Sequence, residues 1–113
     1  MANTLKYSKI VNDLMCEYAD YWGSYRGVKH EVLADTKHHN FSLLAIGWEE
    51  NTKRYVHNIS FHIQVINDKV WIQQNNTDIM IADELIEKGI AKQDIVLGFI
   101  EPQARQYSGF AVA

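Results

Sequence analysis

The sequence holds one cysteine and one proline in 113 residues, no cluster of basic residues and no long apolar run. A lone Cys16 cannot close an intramolecular disulfide, and without a second thiol there is neither a redox dithiol nor a cysteine-based zinc site. A reducing compartment, the cytoplasm, is therefore expected. Charges interrupt every apolar stretch well before the roughly 18–20 residues needed to span a bilayer. The opening Met1-Ala2-Asn3-Thr4-Leu5-Lys6 also lacks the basic and apolar segments of a secretory signal. A soluble chain without membrane contact is the expectation. No Gly-rich phosphate loop is present, so nucleotide binding has no motif behind it.

The formal net charge is −3. Eight Lys and Arg balance eight Asp and Glu up to Asn76, and the excess follows: Asp78, Asp83, Glu84, Glu87, Asp94 and Glu101 against Lys88, Lys92 and Arg105. An acidic chain of this kind is poorly built to neutralise several phosphates, so DNA contact should be indirect or weak. What is there in quantity is apolar and aromatic residue, 47% and 12%, enough for a real core. At this length a second domain would leave neither half enough surface to bury, so residues 1–113 read as one domain.

Between Thr4 and Trp22, Leu5, Ile10, Val11, Leu14, Met15, Tyr18 and Trp22 recur at three- to four-residue spacing, the pattern of an amphipathic helix. Gly23-Ser24-Tyr25-Arg26-Gly27 turns the chain. Val28 to Asp35 reads as a strand, and the nearly all-apolar Phe41 to Trp48 as a strand buried on both faces. From Tyr55 to Val65 the alternation places Tyr55, His57, Ile59, Phe61, Ile63 and Val65 on one face. Asn67-Asp68 suits a tight hairpin into Val70–Gln74. Asn76-Thr77-Asp78 offers N-cap side chains for a second helix, about 78 to 88, which Lys88-Gly89 stops. Asp94 to Phe99 reads as a last strand that Pro102 ends. The expected fold is thus α+β: an N-terminal helix, an antiparallel four-stranded meander, a second helix and a final strand. Phe110-Ala111-Val112-Ala113 stays apolar to the last residue, which predicts a docked tail, on its own domain or on a partner subunit.

Chemistry has little support. His57 and His62 lie an odd number apart on one strand and should face opposite ways, which argues against a shared metal. Asp35-Thr36-Lys37 matches half of a magnesium nuclease pattern, but no second acid sits at a neighbouring strand end. Cys16, mid-helix beside Met15, has no adjacent base and reads as a buried thiol. No catalytic residue, metal or cofactor is assigned. The aromatics, among them Trp22, Tyr25, Trp48, Tyr55 and Trp71, read as core and core rim or as an interface.

Three stretches carry a resemblance: Leu43-Leu44-Ala45-Ile46-Gly47-Trp48; Asp68-Lys69-Val70-Trp71-Ile72-Gln73-Gln74 with Thr77-Asp78; and Asp94-Ile95-Val96-Leu97-Gly98-Phe99 through Phe110-Ala111-Val112-Ala113. In these the chain resembles the XisI family, cyanobacterial fdxN element excision controlling factors. The resemblance implies a XisI-like fold. It also implies a role, with a partner protein XisH, in controlling site-specific excision of a DNA element during differentiation. It implies no catalytic residue. The polar positions it picks out, Asp35, His62, Gln73, Gln74, Thr77 and Arg105, become candidates for structure or interaction, and Trp22, Tyr25, Phe110 and Val112 for an interface. The leading expectation is a non-enzymatic factor that binds a XisH-like protein and itself as a homodimer. A directly DNA-binding accessory would need Arg26, Lys29, Lys37, Lys53 and Arg54 to converge. A metal-dependent enzyme would need Asp35 with His62 or His38.

Overall fold

A computed structural model describes residues 3–113. Met1 and Ala2, which open the stretch read as lacking a signal, lie outside the described residues. Helix α1 (Thr4–Trp22) buries Val11, Leu14 and Met15 of the stripe its periodicity predicts, and Tyr7 with them, whereas Leu5 of that stripe is exposed, as is Cys16, expected to be buried. Gly23 ends the helix at φ +53, donating its N–H to the Ala19 carbonyl at 2.8 Å.

Six strands follow: β1 (Ser24–Tyr25), β2 (Val28–Asp35), β3 (Asn40–Trp48), β4 (Tyr55–Ile66), β5 (Lys69–Asn75) and β6 (Ile95–Leu97), side by side in chain order. The expected meander is β2–β5, all antiparallel. The stretch read as a plain turn also holds β1, which pairs with β2 across Arg26-Gly27. Both turn residues have positive φ, as do Asn67 and Asp68 between β4 and β5. These are the two-residue turns whose twist matches that of a hairpin.

Helix α2 (Ile81–Glu87) carries the chain from β5 to β6, which consequently runs parallel to β5. It begins three residues later than expected. Its N-cap is Met80, which makes no side-chain cap, so Asn76-Thr77-Asp78 does not cap it. Instead Asn75 Oδ1 accepts from the Thr77 N–H (2.9 Å) and hydroxyl (2.7 Å), and Thr77 Oγ1 accepts from the Ile79 N–H (3.1 Å). Those polar groups shape a turn ahead of the helix. Gly89, at φ +112, ends it as expected. The last strand is shorter than Asp94–Phe99 because Lys92–Asp94 forms a 3₁₀ turn, and Pro102 opens another, Pro102–Tyr107.

Both helices cover one face of the sheet. Phe41, Leu43, Phe61, Ile63, Val65, Val70, Ile72 and Ile95 form the core with Val11, Leu14, Ile81 and Leu85. Each such side chain contributes roughly 1.5–3 kcal/mol by burial. Tyr18 donates to Glu84 Oε1 at 2.8 Å and ties α1 to α2. Burial and the Glu84 carboxylate push its hydroxyl up to about 12.

The tail question is decided in favour of the chain's own domain. The Ala111 N–H donates to the Ile95 carbonyl at 2.8 Å, and Ala111 bridges Val96 in parallel, so the C-terminus docks beside β6.

Candidate functional site

Register fixes which side chains share the uncovered face. Leu43 pairs with Phe61 but Leu44 with Ile59, so Ser60 is an extra residue in β4. The bulge reverses the alternation. Phe61, Ile63 and Val65 point to the helices, whereas Tyr55, His57 and Ile59 point away, correcting the expectation that all six share a face. For the same reason His57, paired with Ile46, and His62, paired with Ser42, lie on the same outer face rather than opposite ones. A second bulge leaves Gln73 unpaired in β5, between the pairs His62–Gln74 and Ile63–Ile72.

The outer face has two zones. Toward the β3–β4 turn it is apolar and aromatic: Leu44 and Ile59 are flanked by Ile46, His57, Trp48 and Tyr55. The Trp48 and Tyr55 rings are 5.1 Å apart, and the residues are 65% and 53% exposed. Leu44 is buried there, but the rest of β3 beyond it is half-buried or open, so two-sided burial holds only for the middle of that strand.

Toward the other end runs a polar belt. Asp35, Asn40, Ser42, His62, Gln64, Gln73 and Gln74 come together from four strands. His62 Nε2 bonds Asn40 Oδ1 at 2.7 Å, and Gln73 Nε2 donates to Gln64 Oε1 at 3.0 Å. Burial pulls the His62 imidazole below its ordinary pKa, favouring the neutral ring. Asp35 accepts from the His38 N–H at 3.1 Å and meets its Nδ1 at 2.8 Å; that partner holds the carboxyl low. Four of the six polar candidates thus share one belt.

Arg105 closes the belt's far side. Its guanidinium lies 5.1 Å over the Trp71 ring and donates to the carbonyls of Ile100 (2.9 Å) and Gly98 (3.2 Å), clamping the C-terminal 3₁₀ turn over β5 and β6. Val96 is completely buried beneath it. Thr77 sits apart, in the turn before α2. Among the interface candidates, Trp22 packs on Phe61 (6.1 Å) and His30 (5.1 Å) at the core rim, and Phe110 packs on the core with Lys92 over its ring. Tyr25 and Val112 are exposed. Sequence reasoning passed over Asn40 and Gln64, whose polar pairing partners mark the belt only once register is known.

The five bases that DNA binding required do not converge. Arg26, Lys53 and Arg54 meet at one end of the sheet, where the Glu50 N–H bonds the Arg26 carbonyl (3.0 Å) and the Glu49 N–H that of Arg54 (2.8 Å). Two acids share that corner. Lys29 is paired with Glu31, and Lys37 lies at the opposite end of β2. Among the described residues no three His, Cys, Asp or Glu gather as a metal would require, and no helix is long and apolar enough to cross a membrane.

No curated protein matches the chain. Among solved structures, a XisI-like protein from Anabaena variabilis superposes with a TM-score of 0.88 at 32% identity, covering 97% of this chain and 99% of that one. The fdxN element excision controlling factor XisI from the same organism superposes with a TM-score of 0.81 at 29% identity, covering 98% and 99%. The family model described as XisI protein matches residues 1–112, and this chain belongs to the XisI family.

Proposed function

We propose that this protein is a non-enzymatic controlling factor for site-specific excision of a DNA element of the fdxN type, working in the cytoplasm by binding a XisH-like protein. It also associates with itself as a dimer, and its contact with DNA is indirect or weak. Family membership supports a regulatory role through protein–protein binding. The observation that carries the reading is the open face of the sheet, where Trp48 and Tyr55 stand exposed beside Ile46 and Ile59. Exposed paired aromatics on a rigid strand lose little entropy on contact and are enriched in interfaces. The dispersed bases, shared with Glu31, Glu49 and Glu50, favour a protein partner over a phosphate backbone.

Co-purification with a XisH-like protein tests this, read by size exclusion with light scattering. The expected result is a stable complex, weakened about tenfold or more by Trp48→Ala with Tyr55→Ala. Absence of a complex, together with retardation of DNA by this chain alone, would replace the proposal by direct DNA binding.

A further inference from the structure

The two edges of the sheet are unequal. Beyond β6 the tail is docked at Ala111. At the other edge β1 covers only the start of β2, pairing Tyr25 with Val28 and Ser24 with Lys29, and the last bond across is from the His30 N–H to the Gly23 carbonyl at 3.0 Å. Alternation along an antiparallel strand then directs the N–H and C=O of Val32 and Ala34 to that same side, past the end of β1. Glu31, Leu33 and Asp35 use theirs toward β3. Four backbone groups in succession therefore lie on an open edge.

That edge is its own complement. We infer that two copies of this chain pair antiparallel along β2, with a twofold axis at Leu33. In that register Val32 of one copy exchanges both backbone bonds with Ala34 of the other, twice over, and all four open groups are used. Shifting the axis to Val32 would require His30, whose N–H is already bonded; shifting it to Ala34 would require Thr36, beyond the strand. Leu33 supports the same centre. It is 55% exposed on the outer face, an apolar side chain with no cover of its own. At a non-hydrogen-bonded position it would meet its counterpart at the closest cross-strand distance. Glu31 would approach the second copy's Asp35, but each acid brings a base, Lys29 at 3.7 Å and His38 at 2.8 Å. The inference rests on the self-association proposed above and gives it a surface. Pairing would join two outer faces into one continuous platform.

Three variants of the full chain test it. Leu33→Lys places two ammonium groups across the axis, and Ala34→Pro removes an N–H that serves no bond within the chain and sits where an edge strand tolerates proline. Leu33→Cys with Cys16→Ser places two thiols at a separation that a disulfide spans. The wild type should run at twice the chain mass. The first two variants should raise the dimer dissociation constant by about 30-fold or more, with unchanged circular dichroism. The third should cross-link to a dimer under mild oxidation. A wild type that stays monomeric at every concentration overturns both the inference and the self-association beneath it. A dimer that survives Leu33→Lys and Ala34→Pro, with no cross-link from Leu33→Cys, overturns the β2 edge alone.

Discussion

A Cβ built on Gly47 would come within 2.1 Å of the Gly27 carbonyl oxygen, and one built on Gly27 within 2.1 Å of the Trp48 carbonyl oxygen. The two glycines hold the β1–β2 turn against β3 at the corner that carries Trp48 and Tyr55. Each also has a positive φ, +87 for Gly27 and +142 for Gly47. Gly47→Ala should therefore displace backbone as well as strain it, costing on the order of 1–3 kcal/mol. Thermal unfolding should show a loss of about 5–15 °C. An unchanged midpoint would mean that the two strands separate freely here.

Arg105→Ala should free the C-terminal 3₁₀ turn. It removes two hydrogen bonds and the cation over Trp71, together about 1–3 kcal/mol. Trp71 fluorescence should shift to the red, and exchange at the Ala111 amide should accelerate. Arg105→Lys should not restore either, since an ammonium lacks the planar fork that reaches both carbonyls while lying flat on the indole. Full rescue by lysine would reduce the clamp to simple charge.

The Tyr18 hydroxyl, pushed up to about 12 in the folded protein by burial and by Glu84, sets an alkaline limit. In the unfolded chain it titrates near 10, so above that pH the unfolded state gives up a proton that the folded state keeps. The stabilisation is full below pH 10 and disappears as the pH rises to about 12. Denaturant midpoints measured from pH 8 to 12 should fall, and Tyr18→Phe should flatten the part of the slope that this residue supplies. A slope identical in the two proteins would remove Tyr18 from the account.

His62 predicts the acid side. Its imidazole titrates below the usual 6.5 because burial penalises the charged ring. Between the two values the unfolded chain binds the extra proton, so stability is present above 6.5 and declines as the pH falls through the folded value. An NMR titration should find the His62 ring protons moving at a pH below 6.5. Movement at or above 6.5 would contradict a sheltered ring.

The elements were legible where one segment's own pattern decides them. The stripe from Ile10 to Met15, the turn at Asn67-Asp68 and the stop at Gly89 follow from spacing and glycine chemistry alone. Ser60 and Gln73 were not legible, because a bulge belongs to the pairing of two strands and leaves no mark on either. That one extra residue misplaced Tyr55, His57 and Ile59, and with them the open face. Asn76-Thr77-Asp78 reads as a set of helix caps because the same side chains serve caps and turns alike. The polar belt was visible only as residues scattered between Asp35 and Gln74. Nothing local says that Asn40 lies beside His62 until β2, β3 and β4 are aligned.

Docking of the C-terminal tail beside β6 also governs how far association can run. A sheet with two open edges can add molecules without limit, as fibres do. Here one edge ends in a single bridge at Ala111, too short to template a strand, so each molecule offers one place for edge growth. Two such edges meeting about a twofold axis would use each other up, and an assembly built in that way would be finite.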